Sequence, residues 1–460
     1  MPHRFSQRLA PSIGWPRALD RLTPGIGLMS VAFMALLSGT TPEKVDGQQV
    51  ALVGGMLLDG YEAPAIHNAA ILIDGDRIVA VGPASEIDIP STARVVDTRG
   101  MTMLPGLIDL HVHTMFLGHG EYSEWFPFFT PKKQEMMEIA AKQLLMAGVT
   151  TAVDLGAPIE IVELRDRIAR GDVPGPRMLV SGPWIAGRRW GSFPDYFQHV
   201  VESPEEAAQR THELADAGVD VIKTWAGMSE AMMAAVVEAA HARGIRVHSH
   251  LYGPEEIRVA IRVGVDVIQH AGSAGNPPYP DDLVQEIAHK GVPIVQTIAH
   301  RPWVFQATVD FPERLQDRRL REDLSPELYE EFQRSFVDFH RLSYFRTTPL
   351  QTRKSELSSR QFIEANAFMG MGTDSGSPLN FHTESAWREI SALVDSGMTP
   401  IQAISAATKT GAEIIRRGND LGTIEPGKLA DVIVVRGNPL FDINVLGYVE
   451  HVVKGGVVYR

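Results

Sequence analysis

The stretch that decides the fold is LPGLIDLHVHTMF, residues 104–116, in which two histidines stand one residue apart at the end of an apolar run. Pro105 and Gly106 indicate a turn, and the residues after them are typical of a short buried strand. Because side chains alternate along a strand, His111 and His113 are predicted to share one face. The pair is either two hydrogen-bonded core histidines or part of a metal site, and a metal site needs more ligands elsewhere in the chain.

The composition limits both the class of the protein and the ligands of any metal. The chain has 460 residues, of which 44% are hydrophobic and 22% charged, as in a globular protein with one large and one smaller domain. The formal net charge of -13 argues against nucleic acid or an anionic membrane as a partner. The chain has no cysteine, so metal ligands must be His, Asp, Glu or Lys.

The first 45 residues differ from the rest and are predicted to be a leader. Four arginines between positions 4 and 21 precede an apolar segment, residues 26–37, which is followed by Ser, Gly and Thr. This order resembles a secretory signal, and its apolar part is too short for a transmembrane span. Export is therefore favoured over a cytoplasmic location, and no stable membrane insertion is expected.

Strand and helix patterns alternate through the middle of the chain. Amphipathic stretches such as 204–217, 229–243 and 281–290 are predicted helices. Short apolar runs give eight candidate strands, at residues 106–113, 150–155, 177–181, 219–224, 246–250, 265–271, 292–297 and 368–373. This alternation predicts an α/β fold, a (β/α)8 TIM barrel over residues 105–420. Residues 298–350 interrupt it as an insertion, a lid or an interface element.

Short β-branched runs broken by Gly, Asp and Pro flank the predicted barrel on both sides. They occupy residues 46–104 and 421–460. Such runs are typical of a small antiparallel sheet. Both ends of the chain are therefore predicted to build one small β-sandwich-like subdomain.

Side chains that bind metals end five of the candidate strands. In a (β/α)8 barrel the chemistry lies at the carboxyl ends of the strands, which meet at one face. The residues at those ends are His111 and His113, Lys223, His248 or His250, His270, and Asp374. Each has an ordinary structural explanation alone, but their coincidence at five strand ends favours a metal site.

These motifs make the chain similar to the amidohydrolase superfamily, in its imidazolonepropionase-like and Xaa-Pro-dipeptidase-like branch. The resemblance covers nearly the whole chain from Val50 onward. The motifs that carry it are LPGLIDLHVH, AGVTTAVDLG, VDVIKTW, VHSH, VIQHAG, GTDSG and LGTIEPGKLADVIVVRGNPL. Their combination is highly specific, although no single one of them would be.

The resemblance implies a binuclear centre of two divalent metal ions, most often Zn2+. The implied ligands are His111 and His113 for one ion, His248 and His270 for the other, and Lys223 as a bridge after carboxylation by carbon dioxide. Burial would disfavour the ammonium form of such a lysine, and its neutral amine is the form that reacts. Asp374 would bind one ion, orient an attacking hydroxide and carry its proton to the leaving amine.

The fifth candidate strand offers two histidines on one face. The resemblance places the ligand at the first of them, so His248 is predicted to bind metal and His250 to polarise or contact the substrate. Ser249 and the LYG sequence after His250 depart from the family pattern. The substrate contacts are therefore not carried over from the family.

Aromatic residues are frequent in the loops that follow the strands. Trp225 and Tyr252 are predicted to contact a bulky or aromatic group of the substrate. The others are Trp125, Phe126, Trp184, Trp190, Tyr196 and Trp303. Arg188 and Arg301 lie in the same loops and are candidates to bind a substrate carboxylate. Alternatively these loops pack against each other or a partner subunit, and a homo-oligomer is expected.

The predicted activity is hydrolysis of an amide C–N bond by attack of metal hydroxide on the carbonyl of a small molecule. A dipeptide or an N-acyl amino acid with a bulky or aromatic group is the favoured substrate. The alternative on the same centre is a cyclic amide, lactone, carbamate or phosphotriester, because the fold supports many reactions. Imidazolonepropionase itself is disfavoured, because that branch uses one metal without the lysine. A non-catalytic binding protein is also disfavoured, because the whole ligand set is present.

Overall fold

The computed structural model describes most of the chain from residue 49 onward. The described residues are 49–118, 120–191, 193–271, 278–300, 304, 306, 308, 311–338, 342, 345 and 348–460, with 348–354 described by their backbone alone. The predicted leader, Arg301 and Trp303 lie outside the described residues. Within the described part, no helix has both the length and the apolar character that crossing a membrane requires.

The strands are short, and most lie at the positions that the apolar runs predict. In chain order they are β1 (Val50–Leu57), β2 (Ile66–Asp74), β3 (Arg77–Pro83), β4 (Arg94–Asp97), β5 (Met101–Pro105), β6 (Leu107–Val112), β7 (Val149–Asp154), β8 (Arg177–Val180), β9 (Trp184–Ala186), β10 (Gln198–Val200), β11 (Val221–Trp225), β12 (Arg246–His250), β13 (Val267–Gln269), β14 (Ile294–Gln296), β15 (Met369–Met371), β16 (Val432–Arg436), β17 (Val449–Lys454) and β18 (Val457–Val458).

Helices follow most of the strands from β6 to β15. In the described part they are α1 (Tyr122–Phe129), α2 (Lys133–Met146), α3 (Ile161–Arg170), α4 (Pro204–Asp216), α5 (Glu230–His241), α6 (Pro254–Val263), α7 (Asp281–Lys290), α8 (Arg318–Arg321), α9 (Pro326–Val337), α10 (Thr348–Glu364), α11 (Ser385–Asp395), α12 (Pro400–Ala406) and α13 (Lys409–Ile414). The three helices predicted above correspond to α4, α5 and α7 and agree with them to within two residues at either end.

The helices begin and end at residues that satisfy their free backbone groups. The side chains of Ser203 and Ser229 accept hydrogen bonds from the first turns of α4 and α5. Gly264 and Gly291 end α6 and α7 in the left-handed conformation that glycine adopts without strain. These local signals make the alternation of strand and helix readable from the sequence.

One sheet joins strands from both ends of the chain. Its order is β18-β17-β16-β5-β1-β2-β3, with β4 paired to β1. An antiparallel sheet was predicted, but the sheet is mixed, because β1 pairs in parallel with β4 and β5. Strand β16 lies antiparallel to β5, with Ile433 opposite Leu104. The C-terminal segment is therefore hydrogen-bonded to β5, the strand that immediately precedes β6.

All eight strands predicted for the middle of the chain occur in two further sheets. These have the orders β6-β7-β8 and β10-β9-β11-β12-β13-β14-β15, and their pairings are parallel. Strands β9 and β10, of three residues each, were not predicted. The sheets meet where Val112 bridges Ser375 in parallel and where Asp220 N donates to Val180 O at 2.8 Å.

Alternate residues of the parallel strands pack into different hydrophobic clusters. Val221 and Val267 belong to a small cluster, whereas Ile222 and Ile268 belong to a larger one with residues of the helices. Because side chains alternate, the residues two positions after the valines face the same way as the valines. Two polar side chains, Lys223 and Gln269, occupy those positions and are buried.

The described part of the insertion packs on the segment that follows β15. Arg314 forms a buried ion pair with Glu384 at 2.5 Å and also donates to Leu379 O. The ring of Phe332 stacks on that of Phe381, with centroids 5.4 Å apart. The insertion is therefore fastened to the chain just after Asp374, while its role as a lid or an interface stays a prediction.

Candidate metal centre

Two histidine nitrogens converge at the carboxyl end of β6. His111 Nε2 and His113 Nε2 lie 3.3 Å apart. The other nitrogen of each ring faces an oxygen, since His111 Nδ1 is 2.8 Å from Gln269 Oε1 and His113 Nδ1 is 3.3 Å from Gly156 O. Such acceptors place the ring proton on Nδ1, so both Nε2 lone pairs face the same point.

Asp374 completes this group of converging atoms. Its Oδ1 lies 3.2 Å from His113 Nε2 and 3.8 Å from His111 Nε2. The potential ligand atoms of the three residues all lie within 4.8 Å of one another. Two ligands on a tetrahedral ion are about 3.3 Å apart when the bonds are roughly 2.05 Å long. The residues present therefore fit a divalent metal ion of the zinc type.

The backbone of Asp374 is held in an unusual conformation. Its φ is 52°, in the left-handed region, which a non-glycine residue occupies at a cost of about 1–3 kcal/mol unless its surroundings enforce it. Here the carbonyl of Asp374 accepts hydrogen bonds from Asn380 Nδ2 at 3.0 Å and Ser377 Oγ at 2.8 Å. The amide of Asp374 donates to His111 O at 2.8 Å. These bonds aim the carboxylate at the histidines.

A histidine that the sequence analysis missed faces the second oxygen of Asp374. His300 Nε2 lies 3.2 Å from Asp374 Oδ2 and His300 Nδ1 lies 3.2 Å from Thr297 O, so the ring donates to both oxygens only when both nitrogens carry a proton. His300 is buried at the end of the segment PIVQTIAH, three residues beyond the seventh candidate strand. A histidine following a predicted strand is the signal that would have found it.

The buried carboxyl group of Glu389 holds the loop that carries His300. Glu389, on α11, accepts hydrogen bonds from the backbone nitrogens of Ile298 and Ala299, both at 2.8 Å. Burial raises the pKa of Glu389 to about 8. In the same loop, Thr297 Oγ1 lies 3.0 Å from His270 Nδ1. One loop therefore orients two histidines beside Asp374.

The electrostatics of the site suit metal ligands. Burial acts to raise the pKa of Asp374, but His300, His113 and His111 outweigh it and hold that pKa well below its usual range. Burial also lowers the pKa of His111 and His270 well below the ordinary value, and Lys223 adds to this effect. An ionised carboxylate and neutral imidazoles are the forms that bind a metal ion.

Lys223, predicted as the bridging residue, lies buried in β11 and lines the same cavity. Its Nζ has no hydrogen-bond partner among the described residues. Burial lowers the pKa of Lys223 to about 7, although the charge of Asp374 opposes this. An amine buried without a partner is costly, and near neutral pH a large part of it is uncharged. That is the condition under which carbon dioxide would react with it.

The two histidines of β12 occupy different environments. His250 lines the cavity, with its ring centroid 4.4 Å from that of His270 and 4.6 Å from that of Tyr252. His248 is buried, and its Nδ1 lies 3.0 Å from Gln269 Nε2. The cavity position of His250 is compatible with substrate contact, while metal binding by His248 stays a prediction.

A cavity opens onto the metal-binding residues. Aromatic side chains form much of its wall. They are Phe116, Tyr122, Trp184, Trp190, Phe193, Trp225 and Tyr252. The rings of Trp190 and Trp225 are stacked, with centroids 4.0 Å apart and planes 13° from parallel. Trp225 and Tyr252 line this cavity, and their contact with a substrate stays a prediction.

The predicted arginine contacts are not supported in the described part of the site. Arg188 is exposed and lies beside Gly227, and it does not line the cavity. Its assignment to a substrate carboxylate stays a prediction. Arg301 lies outside the described residues.

Comparison with known proteins identifies the family. The amidohydrolase family matches residues 102–458, which is most of the chain. The chain therefore belongs to the amidohydrolase family, as its motifs predicted. It is a hydrolase that acts on C–N bonds, and its family generally uses a metal centre.

Individual relatives are similar over most of their length. The chain is 26% identical over 473 aligned residues to the ochratoxinase of Aspergillus niger, covering 90% of this chain and 88% of that protein. It is 24% identical over 404 residues to the imidazolonepropionase of Streptomyces griseus subsp. griseus, covering 82% and 88%. A solved Xaa-Pro dipeptidase with bound methionine in its active site is 25% identical, with a TM-score of 0.71 and coverage of 90% and 100%.

Proposed function

We propose that this protein is a metal-dependent amidohydrolase that cleaves the amide bond of a dipeptide or an N-acyl amino acid with a bulky or aromatic group. The observation that carries the proposal is the convergence of His111 Nε2, His113 Nε2 and Asp374 Oδ1 at an aromatic cavity. Relatives named as an ochratoxinase and a Xaa-Pro dipeptidase support this choice of bond.

The proposal includes a closed (β/α)8 barrel with the mixed sheet as its subdomain. The Val112–Ser375 bridge and the Asp220–Val180 hydrogen bond support closure, because each joins a strand of the three-stranded sheet to a residue next to a strand of the seven-stranded sheet. In a closed barrel the carboxyl ends of β6, β11, β12 and β13 open on one face. That arrangement accounts for a cavity lined by residues that are distant from one another in the sequence.

In the proposed centre, two ions would be held by His111, His113, Asp374, His248 and His270, with Lys223 as a bridging carbamate. Divalent ions supply a water of lowered pKa and polarise the carbonyl oxygen. Asp374 has one oxygen toward the histidine pair and the other 3.2 Å from His300. The second oxygen is the base that takes a proton from the attacking water and returns it to the leaving amine.

The remaining cavity residues bind and orient the substrate. His250 and Tyr252 lie together beside His270, where a carbonyl oxygen or a leaving group can accept a hydrogen bond. The stacked rings of Trp190 and Trp225 offer a flat apolar surface to an aromatic group. Because aromatic walls exclude water, the polar interactions at the centre are strengthened.

The first test of this function is metal content together with substrate selectivity. With Zn2+ supplied, we expect the protein to bind two ions and to hydrolyse N-aroyl amino acids and dipeptides containing an aromatic residue. Compounds with an acetyl or glycyl group in place of the aromatic one should give a kcat/KM about tenfold lower, the scale of one lost aromatic contact. A metal-loaded protein that hydrolyses no C–N bond in such a panel would contradict the proposal.

The position of His300 gives a second prediction. His300→Ala removes the group that faces Asp374 Oδ2, so we expect kcat to fall about 10–100-fold while KM changes little. His300→Gln, which can place an amide donor near that oxygen, should recover most of the lost rate. The kinetic constants of both variants are compared with those of His289→Ala, at an exposed histidine near the end of α7. Equal losses in the two His300 variants would argue against a hydrogen-bonding role.

A further inference from the structure

The residue five positions after Asp374 also has a left-handed backbone. Leu379 has a φ of 58°, and its bulky side chain is completely buried. A bulky residue stays in this region only when its surroundings enforce it. Other parts of the chain hold both backbone groups of Leu379, since its amide donates to Gly118 O at 3.0 Å and its carbonyl accepts from Arg314 Nη2 at 2.5 Å. The conformation of Leu379 therefore depends on the insertion, which supplies Arg314.

The guanidinium of Arg314 is itself held in place by buried contacts. Its Nε and Nη2 donate to Glu384 Oε1 at 2.7 and 2.5 Å, and both side chains are buried. Its Cζ lies 4.8 Å from the ring centroid of Phe381 and 5.4 Å from that of Phe336. A guanidinium presents its donors in a rigid fork, so the ion pair with Glu384 also fixes the donor that faces Leu379. An ammonium group could not reproduce both contacts in one geometry.

The residue after Leu379 connects it to the carboxylate of the site. Asn380 Nδ2 donates to Thr373 O and to Asp374 O, both at 3.0 Å. Because both partners are carbonyl oxygens, the atom that faces them must be the amide nitrogen. The carbonyl of Asn380 accepts from Gly376 N at 2.8 Å, which closes the loop. A change in the backbone of Leu379 would therefore displace Asn380 and remove its hold on Asp374.

We infer that Arg314 is a positioning residue for Asp374. By holding the carbonyl of Leu379, it keeps Asn380 on the carbonyls of residues 373 and 374, and so keeps the Asp374 carboxylate aimed at the histidine pair. The described part of the insertion is then a fixed clamp on the loop after β15 and not a lid that leaves it. The inference rests on the proposed function, because it takes from it the role of Asp374.

The decisive comparison is Arg314→Lys in two backgrounds, the natural chain and Leu379→Gly. Lysine keeps a positive charge beside Glu384 but loses the fork. In the natural chain we expect kcat to fall about 10–100-fold, with little change in KM because neither altered residue lines the cavity. Glycine adopts the left-handed conformation without strain. In the Leu379→Gly background, the same Arg314→Lys change should therefore lower kcat by less than about threefold.

A role limited to the buried ion pair gives a different result. If Arg314 only stabilised the fold by pairing with Glu384, Leu379→Gly would recover nothing, and equal losses of kcat in the two backgrounds would overturn the inference. Glu384→Gln is the matched control, since its amide oxygen can accept from Arg314 Nε while the donation to Leu379 remains. It should lower the thermal unfolding temperature and leave kcat nearly unchanged.

A second pair of substitutions covers the case in which Arg314→Lys does not fold. Arg314→Met combined with Glu384→Met removes both buried charges together, so that neither is left without its partner. The double variant also lacks the donor to Leu379 O. It should show the same fall in kcat in the natural chain and the same recovery with Leu379→Gly.

Metal binding gives a readout that does not depend on turnover. Asp374 belongs to the group of converging ligand atoms, so metal-free protein is titrated with Co2+ and followed by its visible absorption. Arg314→Lys should weaken Co2+ binding about 10–100-fold, and Leu379→Gly should largely restore it. Co2+ affinity that Arg314→Lys leaves unchanged would overturn the inference.

These measurements also separate this inference from the proposed function. If Co2+ binding follows the expected pattern in a protein that cleaves no C–N bond, the proposed function fails and the role of Arg314 stands. Hydrolysis of C–N bonds with equal losses in the two backgrounds would remove the role of Arg314 alone. A natural protein that neither binds Co2+ nor cleaves a C–N bond would overturn both.

Discussion

Asp374→Asn is expected to lower kcat about 10²–10⁴-fold while the protein keeps at least part of its metal. The carboxylate lies with Oδ1 3.2 Å from His113 Nε2 and Oδ2 3.2 Å from His300 Nε2. Asparagine retains one side-chain oxygen that can face the histidine pair and bind a metal ion. Its amide cannot take up a proton at neutral pH. The substitution should therefore slow the proton-transfer step, and KM should change much less than kcat.

Asparagine is also the substitution that disturbs the backbone least. Position 374 has a φ of 52°, and Asn tolerates the left-handed region about as well as Asp does. Metal content by elemental analysis and steady-state kinetics check the prediction, with Asp395→Asn at an exposed position on α11 as the control. Full activity in Asp374→Asn would refute its role as the base, whereas complete loss of metal would show a purely ligating role.

The sequence predicted this part of the site because strand ends are local features. The carboxyl end of a buried parallel strand is signalled by an apolar run and the turn residues after it, and His111, Lys223 and Asp374 all follow such runs. Their convergence then follows from the topology alone. The family resemblance added roles for these residues but was not needed to bring them together.

The residues that the sequence analysis missed depend on irregular backbone or on neutral polar chemistry. His300 reaches Asp374 from a loop whose course is set by Glu389, 89 positions later in the chain. Gln269 escaped notice because an amide is not a usual zinc ligand, although it contacts two histidines. The assignment of Arg188 stays a prediction, because the direction of a side chain in a long loop has no periodic signal.

The mixed sheet shows a similar limit at the level of the fold. Its short β-branched strands were recognisable, but their pairing was not, because β1 lies between β2 and strands that enter from further along the chain. Parallel pairing of β1 with β4 and β5 requires that the chain cross over between them. No local pattern encodes that crossover, so the antiparallel prediction was wrong for these pairs.

Lys223→Ala is expected to lose nearly all activity and most binding of the second metal ion. The Nζ of Lys223 is buried in the cavity wall without a hydrogen-bond partner among the described residues, an arrangement that is unfavourable for an ordinary lysine. A carbamate on Nζ would instead offer an oxygen to each ion, and alanine removes that oxygen pair. The fall in kcat should reach about 10²–10⁴-fold, the scale set by loss of the activated water.

Rescue by small carboxylates distinguishes a bridge from a packing role. Alanine at position 223 leaves room beside the ions, so formate or acetate added to Lys223→Ala should restore part of the rate and of the metal content. The exposed Lys290→Ala at the end of α7 controls for loss of a lysine elsewhere and should respond to neither additive. If Lys223→Ala kept its metal and its rate, Lys223 would be an ordinary buried lysine. The centre would then rest on His111, His113 and Asp374, whose atoms already converge without it.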